Sequence, residues 1–320
     1  MSAFPRSPHS GRASGRPPGG IAWLGRDLAR NRTVYLLALP MVAYYLLFHY
    51  QPMYGAIIAF KDFAPGRGIW GSPWVGLEHF QGFFRSIYFV RVVRNTILLS
   101  LLNLLFGFPA PILLALLLNE IRNQAFKRTV QTISYLPHFV SIMVICGMII
   151  DFTARDGVVN DIVAFLGGER VTMLLKQDLF RPLYVTTEIW QRVGWSSIIY
   201  LAALTAIDPQ LYEAATIDGA GRLRQTWHIT LPGIVPTIVI MLILRIGQMM
   251  NIGFEKIILL YNPTIYETAD VISSFVYRKG LLDFSFSFST AVGLFDSAIN
   301  FGLLFSANAL SRRVNETSLW

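Results

Sequence analysis

Three stretches of the chain run for 28, 25 and 22 residues without a charged side chain, between Arg32 and Lys61, Arg94 and Glu120, and Arg128 and Asp151. About 20 apolar residues carry an α-helix across the hydrocarbon core of a bilayer, so each stretch predicts a spanning helix. Pro182 to Ile207, Pro232 to Phe254 and Phe286 to Leu310 are also predominantly apolar, although each contains ionisable residues. The pattern therefore predicts an all-α membrane protein with six spans over residues 33–310, an even number that puts both termini on one side. Continuous apolar runs exclude the ten-residue alternation of an outer-membrane barrel. Pro40 and Pro52 interrupt the first run and Pro109 and Pro111 the second. Each proline removes a backbone donor and bends the helix, which suits either ordinary packing or a bundle that surrounds a passage.

Composition agrees: 53% of the 320 residues are hydrophobic and 14% charged, against roughly 45–50% and 25% in soluble domains. The net charge of +8 includes six basic residues in the first 32 positions, within a segment rich in Arg, Ser, Gly and Pro. Residues 1–32 are expected to be a basic cytoplasmic tail rather than a nucleic-acid arm, and no nucleic-acid partner is expected. The tail is not expected to be a cleavable signal peptide, because the apolar run after it has full spanning length. With both termini inside, the inner segments, including the C-terminal tail 311–320, hold 13 Lys and Arg against 6 acids, and the outer ones 12 against 11. The basic excess reads as cytoplasmic. The single cysteine, Cys146, excludes a disulfide framework and a Cys-based zinc site within the chain. The five histidines are scattered without ligand spacing, so no metal is expected.

The segment 208–232, DPQLYEAATIDGAGRLRQTWHITLP, is too long for a minimal connector. Asp208 caps a short helix with Pro209 at its first position, and Leu211, Ala214 and Ala215 give it a narrow apolar face. Gly219 ends that helix, since glycine takes the left-handed conformation freely. A second helix is expected from about Ala220 to Ile229, with Pro232 opening the next span.

Here the chain resembles the membrane-spanning subunits of binding-protein-dependent ABC importers. Their signature is Glu-Ala-Ala, three residues, Gly, nine residues, Ile, one residue, Leu-Pro. Glu213, Ala214, Ala215, Gly219, Ile229, Leu231 and Pro232 satisfy it at every specified position. The resemblance implies a type I importer-like permease of the bacterial inner membrane, whose loop docks, with Asp218 beside the turn, onto a separate ATPase subunit. YQPMYGAIIAFKDF at 50–63, GSPWVGLEHF at 71–80, VQTISYLPHFVS at 130–141, NIGFEKIILLYNP at 251–263 and the ending ETSLW resemble permeases for complex oligosaccharides and polysaccharide fragments, such as those of alginate or pectin. The resemblance implies a second homologous permease subunit, an ATPase dimer and an extracytoplasmic solute-binding protein as partners, and an oligosaccharide as substrate. No Gly-rich loop ends in Gly-Lys-Ser or Gly-Lys-Thr, so ATP and magnesium are expected on the partner ATPase and no cofactor on this chain. The chain is expected to be a transport subunit and not an enzyme. The competing classes are a membrane-embedded glycosyltransferase, which needs clustered carboxylates or a metal, and an ion-coupled secondary transporter, which often shows an inverted repeat.

Polar residues inside the spans are candidates for a translocation path, because a lone charge at the bilayer centre costs roughly 2.5–3.5 kcal/mol and must face protein or water. On the fourth span Glu188 and Arg192 stand one turn apart, with Gln191 and Ser196 close by. On the fifth, Arg245, Gln248 and Asn251 recur every third residue; on the sixth, Ser289, Gly293, Asp296, Ser297 and Asn300 share one face. Arg245 either neutralises Glu188 or Asp296 or faces the path. Trp190, Trp195 and Tyr200 are candidates for stacking on sugar rings. Residues 267–280 carry apolar positions at 271, 272, 275 and 276, consistent with a short outer helix that receives the binding protein or lies on lipid.

Overall fold

The computed structural model describes residues 27–28 and 30–315. The expected basic tail therefore falls almost wholly outside the described residues, as do residues 316–320. Every named element is helical, and the one isolated β-bridge among the described residues joins Lys61 to Trp74.

The chain divides into two compact units, up to Ala56 and from Ile57. In the first, helix α1 (Arg32–Tyr45) passes through Pro40 and continues as a π turn over Leu46–Tyr50. None of its side chains is buried, and Leu36 and Leu37 are 70% and 76% exposed. Lipid tails, as apolar as leucine, match such a surface.

In the second unit, α2 (Phe89–Leu102) leads through a π turn over Asn103–Gly107 into α3 (Pro109–Glu120). Three of the four π turns among the described residues, those ending at Tyr50, Gly107 and Thr230, each stop two residues before a proline, at Pro52, Pro109 and Pro232. A proline ring collides with the carbonyl four residues before it, and widening that turn moves the carbonyl away. The helix then runs on through the proline.

Four helical stretches are long and apolar enough to span a membrane: Arg32–Phe60, Phe89–Glu120, Arg222–Ile246 and Phe286–Arg313. A fifth is possible only as a broken span, because Gln124–Phe139 and Ile142–Phe165 meet at 102°. The third charge-free run straddles this break, between α4 (Gln124–Tyr135) and α5 (Ile142–Thr153). Pro137 stands in the tight turn between them, and Ser141 caps α5 by accepting from the Val144 N–H at 3.4 Å. The expected fourth span lies on α6 (Gln177–Thr205), 29 residues long, whose apolarity Glu188, Gln191 and Arg192 reduce below that of the other four.

Helix α6 is the hub of this unit, packing against α3, α4 and α9 (Leu231–Ile246). Gly194 lies against the Ser134 backbone of α4, where any Cβ would collide with the carbonyl. The last helix, α10 (Phe286–Asn315), runs antiparallel to the end of α9: Gly247 meets Leu304, and the Met250 N–H donates to Asn300 Oδ1 at 2.9 Å.

The segment 267–280 differs from expectation. It does contain a short helix, Ile272–Tyr277, but Val271, Ile272 and Phe275 are almost wholly buried in the two core clusters around Leu99 and Phe83. A surface helix resting on lipid is excluded by that burial. The segment is anchored by Asp270, fully buried, which receives Arg91 at 3.0 Å, Arg278 at 2.7 Å and the Ser274 hydroxyl at 2.9 Å. A buried carboxylate is tolerated only with such complete pairing. The sequence shows these charges but not that they meet.

Candidate functional site

The helix–turn–helix segment forms from local chemistry. Asp208 Oδ1 accepts from the Gln210 N–H at 2.9 Å and opens α7 (Pro209–Ile217), with Pro209 in the first turn. At the other end Gly219 has φ +74°, the Gly219 N–H donates to the Thr216 carbonyl at 3.1 Å and the Ala220 N–H to the Ala215 carbonyl at 2.8 Å. These two bonds define a Schellman motif, in which Ala215 and Ala220 take the positions that usually touch. Beyond it, α8 (Arg222–Gln225) is no separate helix, contrary to expectation. It continues through the π turn Thr226–Thr230 into α9, because the π turn accommodates Pro232.

The two arms are tied by Tyr212 Oη and Thr230 Oγ1 at 3.0 Å, and by Gln225 Nε2 donating to Thr216 Oγ1 at 3.0 Å. Arg222 also lies 3.6 Å from Glu120 at the end of α3. Outward, Ile217 and Leu223 are 87% and 82% exposed. Glu213, Ala214, Asp218 and Pro232 are exposed, and Ala215, Ile229 and Leu231 half-buried. Glu213 has no hydrogen-bond or ion-pair partner among the described residues. The loop thus offers an open carboxylate amid large apolar side chains.

A second polar constellation lies within the helices. Two cavities, of about 310 and 230 Å³, share Asn103, Glu188, Arg192, Arg245 and Gln248 in their walls. Ser196 and Tyr200 line the first, and Asn251 the second. Helix α9 ends at Ile246, yet Arg245, Gln248 and Asn251 still share a wall. The Gln248 N–H bonds the Arg245 carbonyl at 3.2 Å and the Asn251 N–H bonds the Gln248 carbonyl at 3.0 Å. Such three-residue turns eclipse side chains three apart.

Glu188 Oε1 receives Arg192 Nε at 2.7 Å, the one-turn pair expected from the sequence. Its other oxygen receives Lys256 Nζ at 3.1 Å, not Arg245. Lys256 stands on the short helix Phe254–Leu260, is 2% exposed and lies 5.0 Å from the Tyr184 ring centre. Burial pushes its ammonium below the ordinary lysine range, and the Glu188 carboxylate opposes that shift. Arg245 has no carboxylate partner among the described residues, so neither Glu188 nor Asp296 neutralises it.

The remaining path candidates stand apart from these cavities. Gln191 is buried and lines neither. Asn300 belongs to the contact of α10 with the end of α9, and its Nδ2 lies 3.4 Å from Oδ2 of Asp296, one turn back on α10. Ser289 packs against Gly280. Trp195 is stacked on His138 at 4.6 Å, and Trp190 lines a separate apolar cleft. Sequence reasoning missed Asn103 and Lys256. A lone amide in an apolar run was the available signal for Asn103; Lys256, beside Glu255, reads as an ordinary loop charge.

Residues 107–316 match the family model described as binding-protein-dependent transport system inner membrane component. The chain is 49% identical, over 92% of its length and 92% of the relative's, to the polygalacturonan/rhamnogalacturonan transport system permease protein YteP of Bacillus subtilis (strain 168). It is 45% identical to Protein LplB of the same organism, over 94% and 95% of the two chains. Among solved structures it is similar to a chain of a bacterial ABC transporter involved in the import of the acidic polysaccharide alginate. The TM-score is 0.86 and the identity 44%, over 91% of this chain and 99% of that one. A chain of bacterial alginate ABC transporter in complex with alginate pentasaccharide-bound periplasmic protein gives the same TM-score at 43% identity, covering 92% of this chain and 99% of the other. A family match across more than half of the chain and relatives aligned over nine-tenths of it leave one assignment: the chain belongs to the binding-protein-dependent transport system inner membrane components, and is a transport subunit rather than an enzyme.

Proposed function

We propose that this chain forms one half of the membrane passage of an ATP-driven importer for oligosaccharides and polysaccharide fragments, uronate-containing ones such as alginate included. The observation that carries the reading to the substrate is the cavity pair, into which Arg192 and Arg245 project while the single carboxylate there, Glu188, is already shared between two cations. Guanidinium groups pair with carboxylates through two parallel hydrogen bonds, which a neutral sugar cannot return. In this reading the chain crosses the bacterial inner membrane six times, with the broken pair and Gln177–Thr205 as the third and fourth crossings and both termini in the cytoplasm. Segment 208–232 docks on an ATPase dimer that holds ATP and magnesium, a second homologous permease completes the passage, and an extracytoplasmic binding protein delivers the glycan. Access alternates as the ATPases close and open.

A membrane-embedded glycosyltransferase is disfavoured, since no group of three or more His, Cys, Asp or Glu able to hold a metal occurs among the described residues. The deciding experiment reconstitutes the chain with its partner subunits in proteoliposomes and measures ATP hydrolysis with the binding protein and a panel of uronate and neutral oligosaccharides. Stimulation by loaded binding protein, strongest with uronates, is expected. Uptake driven by an ion gradient without the ATPase would overturn the reading.

A further inference from the structure

We propose that Lys256 sets the charge of the polar cavities, and hence their preference for acidic over neutral glycans, without itself touching the glycan. The inference rests on the importer reading above. Lys256 lines neither cavity and is 2% exposed, so no substrate reaches it. It acts through Glu188, whose Oε2 takes the ammonium at 3.1 Å while Oε1 takes Arg192 Nε at 2.7 Å. With one oxygen satisfied from behind, the carboxylate holds Arg192 through its inner nitrogen only, and the terminal fork of that guanidinium is left for a ligand. Arg245 stands free of carboxylates on the adjoining wall. The four ionised groups thus leave an excess of two positive charges, both on guanidinium groups that line the cavities. Without Lys256 the excess falls to one, and Glu188, half-buried and half-satisfied, captures a guanidinium nitrogen that would otherwise face substrate. Lys256 is therefore a positioning residue for specificity, supplied by a segment 68 residues away in the chain from the carboxylate it governs.

The test uses the reconstituted complex and compares kcat/KM for uptake of a uronate oligosaccharide and a neutral one of equal length. Lys256→Met is expected to lower the acid-to-neutral ratio about tenfold while neutral uptake persists. Adding Glu188→Gln restores the two-charge excess and should bring the ratio back to the wild-type value. If Lys256→Met does not assemble, the double variant decides alone, with a ratio within about twofold of wild type expected from restored charge. An unchanged ratio in Lys256→Met, equal loss for both substrates that the double variant restores together, or a double variant without acid preference would overturn the proposal. So would a wild-type complex with no preference for the acidic glycan, although the importer reading would then stand. A wild-type complex that imports no glycan under ATP sinks both.

Discussion

The side-chain carbonyl of Asn300 accepts the backbone N–H of Met250 at 2.9 Å, where the chain has left helix α9 and Met250 is 2% exposed. Asn300 therefore satisfies a backbone group that the helix break would leave unpaired. Asn300→Ala should cost about 1–3 kcal/mol, the penalty of a buried donor without a partner. Thermal unfolding of the detergent-solubilised complex should move down while the acid-to-neutral transport ratio stays at the wild-type value. A changed ratio with normal stability would return Asn300 to the translocation path.

Gly219 is needed for its conformation alone. Its φ is +74° and nothing lies within 4 Å of where a Cβ would stand, so substitution meets strain but no collision. Gly219→Ala should lose about 1–2 kcal/mol through the left-handed backbone, and Gly219→Val more, because β-branching adds to it. Pull-down of the ATPase subunit by each variant should rank Gly, then Ala, then Val. Equal recovery of all three would place the essential turn elsewhere.

Glu213 is exposed and unpartnered among the described residues, so its removal should leave the fold intact. Glu213→Ala is expected to reduce binding-protein-stimulated ATP hydrolysis and transport together, with membrane insertion unchanged. Unaltered hydrolysis in a fully assembled complex would remove the carboxylate from the docking contact.

Gly194 permits the crossing of α6 and α4, since any Cβ there meets the Ser134 carbonyl. Backbone cannot rotate aside as a side chain can. Gly194→Ala should destabilise by about 1–3 kcal/mol through overpacking. A lower yield of folded subunit, read by size-exclusion chromatography in detergent, checks this; wild-type yield and melting temperature would show that the helices separate freely.

Arg245 has no carboxylate to abandon, so Arg245→Gln should assemble normally. Uptake of an acidic oligosaccharide should fall about tenfold relative to a neutral one, the loss of one charge-assisted pair. Equal uptake of both at wild-type rates would defeat the role; failed assembly would point to a structural one.

Much of the loop is legible in the sequence because its physics is short-ranged. The Asp208 cap spans two residues, and the Schellman bonds made by Gly219 and Ala220 join groups three and five residues apart, so the 13 letters from Asp208 to Ala220 contain every partner. The crossing segments are legible for a similar reason: bilayer thickness counts apolar residues along one run. The same runs do not show where a proline changes the path. Pro137 stands at a 102° break in the third, whereas Pro52, Pro109 and Pro232 are absorbed by π turns. A proline removes the same donor in every case; whether the helix breaks or bulges depends on what packs around it. Tertiary structure alone decided which polar residues from distant segments meet. Spacing correctly joined Glu188 to Arg192 one turn away, but the second partner of Glu188 comes from residue 256. It also set Arg245 beside Glu188 without a bond, and placed Asn300 in a helix contact away from the cavities. Spacing within a helix decides which side chains share a face. The rotation of that helix against its neighbours decides what the face looks at, and that rotation is set by contacts such as Gly194 on Ser134, between residues 60 positions apart.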